Sequence, residues 1–537
     1  MGVCLLYRLI GAVLGNTLEQ RTTNLISMFK DSHWYSKLHL LNEILDVNFP
    51  KPYSRSKLTY PANSGLTMFT EVLSRGADTL SKEQVIAMAT FVPNELISTI
   101  TGGNHYSCFV GALMFVDISG FTSLCEKYAA LGPVGAFRLT ATLNAYLGSI
   151  VDLIFYCGGD LLKFAGDSFI AVWRLAFYEY MKTKVQEVIE CAIRIQNALG
   201  SFVSDVGVIL KVKISISAGN FIFCLMGNDL SSTYILYGMP ILEAKQGESY
   251  CSSGDVVISP SAFNCIEDSK YLFKNITKGF LKVKHILDED TMKRDAYFDY
   301  KVFRRKGYFH TTDTVKNLIK STMKSRIDTE ELKDRPILEN ENLVKIGNVL
   351  KPFITPPVLS QIKLNSTFHA ITEMRNVTIM FVRFKPSCRL ESEILNAASI
   401  AYNTISNFVK NSYGLVNKMV MYDKDVMLLA IFGMKGYKQK AETRRCLSCA
   451  SKIRHALKNH HLMSDLSIGV TVGAPFCGVV GHVTRKEFTV IGRPVNRAAR
   501  LMCRFREMIS CDLDVVKHSK LPVHNFRKLE SVHLKGI

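Results

Sequence analysis

The chain repeats itself. Ile214-Ser-Ile-Ser-Ala-Gly219 is followed by Gly227 and then by Tyr237-Gly238-Met-Pro240. Ile468-Gly-Val-Thr-Val-Gly473 is followed, at the same spacings, by Gly481 and by Ile491-Gly492-Arg-Pro494. The matched glycines, 219 with 473, 227 with 481 and 238 with 492, are each 254 residues apart. Upstream, Ala112-Leu-Met-Phe-Val-Asp117 echoes Thr378-Ile-Met-Phe-Val-Arg383. A fixed offset across otherwise different sequence implies two copies of one structural unit. The copies span roughly 105–300 and 370–535.

Each copy has an α/β pattern. In the first, Leu113–Val116 is a short apolar run ending at a charged residue and then Ser119-Gly120, a strand running into a loop. Phe137–Phe155 has helical apolar spacing. Leu161–Phe164 and Phe169–Trp173 flank Ala165-Gly166-Asp167-Ser168, which predicts a hairpin with a carboxylate in its turn. Tyr178–Leu199 predicts a second amphipathic helix, and Val212–Ala218 alternates as a strand does. The order βαββαβ is the ferredoxin-like arrangement, with extra strands after it. The expected fold class is therefore α+β, with two such domains. The expected division is an N-terminal extension over 1–82, a first domain over 83–300, a charged linker with some helix over 301–369, and a second domain over 370–537.

Composition limits the function classes. Of the 537 residues 47% are hydrophobic and 21% charged, which excludes wholesale disorder. A net charge of +19 predicts attraction to polyanions without choosing among nucleotides, nucleic acids and acidic membranes. The 14 cysteines are scattered. Cys446 and Cys449 come nearest to a zinc pair, but no second pair accompanies them, so reduced thiols in a cytoplasmic protein are expected. A membrane-peripheral or nuclear location stays open beside the cytoplasmic one. No apolar run reads as the ~18 residues of a membrane helix. Val3–Gly15 is apolar, yet Arg8 interrupts it and no basic segment precedes it, so it reads as a poor signal peptide. Leu6, where Ser or Thr is required, argues against myristoylation at Gly2.

Two strings carry a family resemblance. Phe115-Val-Asp117-Ile118-Ser119-Gly120-Phe121-Thr122, with Lys163-Phe-Ala-Gly-Asp167, resembles the metal-binding half of a class III nucleotidyl cyclase. Glu487-Phe-Thr489-Val-Ile-Gly492-Arg-Pro-Val-Asn496-Arg-Ala-Ala-Arg500 resembles the complementary half. Within that family, the tandem arrangement is most similar to the soluble, bicarbonate-responsive adenylyl cyclases. The resemblance covers about 83–535. It implies a pseudo-symmetric head-to-tail pairing of the two domains within one chain, acting as a monomer, and the conversion of ATP to 3′,5′-cyclic AMP and pyrophosphate.

That chemistry is an in-line attack of the ribose 3′-oxygen on the α-phosphorus. Two divalent ions suit it, magnesium first with manganese or calcium as alternatives, and hard oxygen ligands must hold them. Asp117 at a strand end and Asp167 on the adjacent hairpin turn can face one point, and Ile118 can add a backbone carbonyl. Each Asp taken singly reads as a cap or turn residue; the pair within matching motifs favours the ligand reading. Ser119, Gly120, Phe121 and Thr122 open a helix whose N–H groups suit phosphate. Asn496 and Arg500, four apart, share a helix face. The resemblance implies that Asn496 orients the ribose and that Arg500 stabilises charge on the α-phosphate, a role suited to a planar, permanent cation. Lys418 and Thr489 fall where the family reads adenine; guanylyl members carry an acid and a Cys there. Lys213 reads equally as a contact to the terminal phosphates or as an exposed strand lysine.

The two copies have lost complementary parts. Asp117 aligns with Arg383, Asn496 with Leu242, and Arg500 with Gln246. One complete site and one crippled site are expected. The crippled one corresponds to where the family binds bicarbonate, with Lys163, Leu236 and Met421 at matching positions. Lys163 is also placed to pair with Asp167. The family's bicarbonate arginine is Lys245 here, which keeps the charge but loses the bidentate fork.

Three rivals are weaker. Gly158-Gly159-Asp160 is reminiscent of diguanylate cyclases but lacks the following acid and Phe. A nucleic-acid-binding module has only the charge in its favour, since no aromatic stacking strand is present. A catalytically dead nucleotide or anion sensor is the serious rival; joint retention of Asp117, Asp167, Asn496 and Arg500 argues against it.

Overall fold

The computed structural model describes residues 80–287, 337, 345–388, 390–422 and 425–530. The readings placed on 1–79, which include the apolar N-terminal stretch, lie outside the described residues. Two short helices come first: α1 (Lys82–Ala89) and α2 (Asn94–Thr101). Ser81 and Gln84 close a capping box on α1.

The first repeat runs β1 (Tyr106–Ser119), α3 (Phe121–Ala129), α4 (Pro133–Tyr156), β2 (Asp160–Ala165), β3 (Ser168–Leu175), α5 (Met181–Leu199), β4 (Ile209–Asn228), β5 (Ser231–Tyr237) and α6 (Met239–Tyr250). Its antiparallel sheet has the order β2-β3-β1-β4, extended by short strands at Val256–Ile258, Leu281–Ile286 and Tyr271–Asn275. Helix α7 (Pro356–Lys363) then packs near α1, where Gln84 donates to the Ile362 and Lys363 carbonyls. The tract just before the second repeat is thus helical and packed rather than extended.

The second repeat runs β6 (Val377–Pro386), α8 (Glu391–Asn411), β7 (Gly414–Tyr422), β8 (Asp425–Phe432), α9 (Glu442–Lys458), β9 (Met463–Gly473), β10 (Phe476–His482), β11 (Arg485–Ile491) and α10 (Arg493–Arg504). Its sheet order, β7-β8-β6-β9, is the same as in the first repeat. The mixed α+β class and the βαββαβ order follow the sequence. Individual strands are longer than expected, because β1 and β4 run on together beyond the apolar segments that signal them.

The 254-residue offset holds at atomic detail. Ser217 Oγ donates to the Pro240 carbonyl at 2.7 Å, and Thr471 Oγ1 to the Pro494 carbonyl at 2.8 Å. A Cβ on Gly219 would lie 2.9 Å from Pro240 Cγ, and one on Gly473 would lie 2.4 Å from Pro494 Cγ. In both repeats a glycine leaves room for the proline that starts the following helix.

Each repeat lends a hairpin to the other. Phe476 and Val480 on β10 and Ile491 on β11 are buried in the core formed by α4 and the first sheet. Conversely, Cys224 and Met226 on β4 and Ile235 on β5 are buried in the core of α8 and the second sheet. Ser231 and Tyr402 join hydroxyls at 2.8 Å across that second contact.

Helix α4 corrects one reading. Residues 134–156 are long and apolar enough, by composition, to cross a membrane, and the fold buries most of that stretch. It forms the spine of the first core, with Leu139, Leu143, Ile150 and Ile154 fully buried. The described cysteines are all free thiols.

The borrowed hairpin carries a stability prediction. Phe476→Ala empties a site inside the first repeat's core. Urea unfolding should show a loss of about 3–5 kcal/mol. A loss below about 1 kcal/mol would mean that the hairpin is not part of that core.

Candidate active site

The β1–β3 register sets Asp117 opposite Ser168, beside the Gly166-Asp167 turn. The Ile118 N–H donates to the Asp167 carbonyl at 3.0 Å, which fixes that turn against the strand end. Two mostly buried carboxylates therefore stand together. Burial, then the charge of Asp167, then that of Glu248, push the Asp117 carboxyl up to about 6. Burial also raises Asp167. Such a pair gains from a cation, which is the test that a divalent-metal site must meet. Among the described residues, no trio of His, Cys, Asp and Glu is grouped closely enough to hold an ion by itself.

Lys213 faces Asp117 across β4, its Nζ 3.5 Å from the carboxylate and 3.7 Å from Glu248. Lys245 Nζ donates to Glu248 at 2.9 Å. Glu248 was not anticipated. Its signal was its place three residues beyond Lys245 on the same helix face.

The loop after β1 is shaped by Gly120, whose φ is +93°. A Cβ there would lie 2.6 Å from the Ile209 carbonyl oxygen, so only glycine fits. Gly120 caps α3, placing Phe121 and Thr122 in its first turn, where N–H groups are unspent. Ser119 Oγ accepts from Ser253 Oγ at 3.0 Å.

The decisive contact crosses the repeats. Asn496 Nδ2 donates to Thr122 Oγ1 at 3.1 Å. The α10 face that carries Asn496 thus meets the loop that follows Asp117. Arg500 lies one turn further along α10 and is exposed. Arg497, on the same helix, is instead tied to Asp512 at 2.8 Å.

Lys418 and Thr489 are also together. Lys418 Nζ donates to Thr489 Oγ1 at 2.9 Å and to the Phe164 carbonyl at 2.8 Å, with Glu487 at 3.8 Å. Burial lowers the Lys418 pKa. Lys163 mirrors it: its Nζ donates to the Met419 carbonyl at 2.7 Å and to the Tyr234 carbonyl at 2.8 Å. It also lies 4.3 Å from the Tyr234 ring centroid. Burial pushes Lys163 down to about 7. The expected Lys163–Asp167 pair does not form among the described residues. Two carbonyls take the ammonium hydrogens instead, because Lys163 points across to the other repeat. Leu236 and Met421 are buried nearby on β5 and β7, two residues beyond Tyr234 and Met419. Lys245 stands over the rings of Phe115 at 4.8 Å and Tyr422 at 5.8 Å.

Arg485 was missed by the sequence reading. It is fully buried and donates to the Leu161 and Leu162 carbonyls of the first repeat at 2.9 and 2.7 Å. Nothing in the local string Arg485-Lys-Glu-Phe-Thr-Val-Ile491 marks it out from the charged residues beside it. At the position aligned with Asp117, Arg383 is closed by its own repeat's acids, Asp425 at 2.9 Å and Asp465 at 3.0 Å. Asp160 of the Gly-Gly-Asp string caps α2, accepting from the Asn94 and Glu95 N–H groups at 3.1 and 3.0 Å.

Comparison with known proteins agrees with this geometry. Residues 107–296 match the family model for the adenylate and guanylate cyclase catalytic domain. Residues 107–296 thus carry an adenylate and guanylate cyclase catalytic domain. Adenylate cyclase type 10 of Oryctolagus cuniculus is 31% identical over 433 residues, covering 80% of this chain and 26% of that protein. The Homo sapiens protein of the same name is 31% identical over 443 residues, with the same coverage. The chain thus spans about a quarter of the length of these relatives. A class III adenylyl cyclase-like ATP-binding protein from Pseudomonas aeruginosa shares the fold, with a TM-score of 0.52 and 13% identity. That likeness covers 78% of this chain and 87% of the bacterial one.

The paired carboxylates give a linkage prediction. Because the folded pKa of Asp117 is raised, the cation-free protein loses stability as pH rises from about 4 through about 6. A bound divalent cation reverses that loss. Added Mg²⁺ should therefore raise the melting temperature more at about pH 7.5 than at about pH 5, and Asp117→Asn should remove the difference. Equal shifts at both pH values would count against the site.

Proposed function

We propose that this chain is an adenylyl cyclase whose one complete site lies between its two repeats. The division proposed is an extension over 1–82, a metal-binding domain over 83–300, a linker over 301–369, and an adenine and transition-state domain over 370–537. The two domains act as an intramolecular head-to-tail pair, the chain working as a monomer in the cytoplasm. The observation that carries the reading is the Asn496–Thr122 contact, which sets the two halves of the site against each other.

The roles follow from the chemistry of the side chains. Asp117 and Asp167, with the Ile118 carbonyl, would hold two divalent cations, which supply charge neutralisation for the triphosphate and acidify the 3′-hydroxyl. Ser119, Gly120, Phe121 and Thr122 present the opening N–H groups of α3 to phosphate. Lys213 balances the carboxylates and reaches toward the terminal phosphates. Asn496 orients the ribose. The 3′-oxygen loses its proton and bonds to the α-phosphorus as the bond to pyrophosphate breaks. Negative charge grows on the α-phosphate oxygens, where Arg500 meets it. Lys418 donates to a ring nitrogen of adenine, and Thr489 accepts from its exocyclic amine.

A second reading, nucleotide binding without turnover, has one observation in its favour: Lys213 already partners Asp117. Incubation of the purified chain with ATP and Mg²⁺ or Mn²⁺ separates the two. Cyclic AMP should form, Asp167→Ala should abolish it, and Arg500→Ala should lower kcat about 10²–10³-fold. Binding without product supports the sensor, and full activity of Asp167→Ala refutes the metal assignment.

Bicarbonate modulation is proposed as retained but weakened. Lys163 and Lys245 bring positive charge beside Leu236 and Met421, yet Lys245 is held by Glu248 and lacks the guanidinium fork. A bicarbonate titration at fixed pH should raise the rate with a shallow response. A flat rate removes the proposal.

A further inference from the structure

A cavity opens beside the lysine pair, and the paired carboxylates do not line it. Strands β2 and β7 run past each other at the seam. Their far ends, Asp160 and Gly414, lie away from the Asp167 turn and from Tyr422. There the β4–β5 hairpin tip, the C-terminal half of α8, the start of β7 and residues 352–356 enclose about 480 Å³. This size suits a small organic ligand. Asp117, Asp167, Thr489, Asn496 and Arg500 are not among its walls.

The walls and the inner end differ in chemistry. Phe353, Tyr402, Tyr413, Tyr437 and Phe488 give it an aromatic lining. Lys163, Lys418 and Glu487 also line it. Glu487 is shared between Lys418 at 3.8 Å and the buried Arg485 at 3.5 Å. Two cationic side chains thus share one carboxylate, and Lys163 lines the same cavity with carbonyl partners only among the described residues. The two lysine ammonium groups donate to neutral carbonyl and hydroxyl oxygens. Buried cations without enough counter-charge are costly, and an incoming anion relieves that cost. Aromatic walls around a cationic end select a ring joined to an acid.

We propose that this cavity is a second ligand site, which takes an aromatic monocarboxylate with its ring among the tyrosines and phenylalanines and its carboxylate toward Lys163, leaving Lys418 to the nucleotide. The site does not depend on the cyclase reading, since its occupancy is measurable without turnover.

The test uses the full chain and 1-naphthoate as probe, followed by ligand-observed NMR. The acid should bind with Kd below about 1 mM, and neutral 1-naphthamide at least about tenfold more weakly. Saturating ATP with Mg²⁺ should leave naphthoate bound. Ser406→Phe, which fills the cavity from α8, should abolish binding. Tyr413→Asn, which removes a half-exposed wall ring at a left-handed position that Asn tolerates, should weaken it about fivefold or more even if the first variant folds poorly. The same binding in Asp167→Ala, whatever its turnover, keeps this result separate from the catalytic one. Equal affinity for acid and amide, displacement by ATP, or unchanged binding in a folded Ser406→Phe or Tyr413→Asn chain would overturn the site.

Discussion

Two reciprocal hydrogen bonds hold the seam on which the rest depends. Lys163 of the first repeat donates to the Met419 carbonyl of the second, and Lys418 of the second donates to the Phe164 carbonyl of the first. The lysines occupy matching places, each just past a register irregularity in the second strand of its repeat. Each spends an ammonium hydrogen on the residue that follows its counterpart. A buried lysine is costly to desolvate, so such groups persist only where acceptors are well placed. Here the acceptors exist only if the two repeats face each other in one register.

The exchanged hairpins supply the apolar part of the same arrangement. Neither repeat completes its own core, since β10 and β11 complete the first and β4 and β5 complete the second. Arg485 adds a polar bolt, reaching from β11 to the carbonyls of β2. Two units with the same core topology therefore differ at their sites while keeping their mutual packing. The first repeat keeps two carboxylates at the end of β1. The second replaces the aligned acid with Arg383 and closes it internally with Asp425 and Asp465. An arginine satisfied by two acids presents no cation-binding face, so the asymmetry is built into the electrostatics.

Much of this was legible in the chain. The glycine offset located both repeats because close approach of a proline to a strand tolerates no Cβ, and that constraint leaves a fixed spacing. The βαββαβ order followed from alternation and helical periodicity. Strand lengths did not, because β1 and β4 pair over fourteen successive positions, and that support lets polar residues continue the strand beyond its apolar segment. The membrane-like composition of α4 was passed over for a related reason: a helix buried on nearly all sides in a soluble core has the same composition as one in lipid.

Sequence by itself determined which residues carry charge, where turns demand glycine, and which copy holds the acids and which the Asn and Arg. These are properties of residue type and spacing, and they survive without coordinates. Tertiary structure decided who partners whom. Lys163 turned to Met419 rather than Asp167, Glu248 joined Lys213 and Lys245 beside Asp117, Asn496 reached Thr122, and Arg485 crossed to the other repeat. Those contacts join residues as far as 374 positions apart. They depend on how two separate sheets are set against each other, and no local pattern along the chain encodes that orientation.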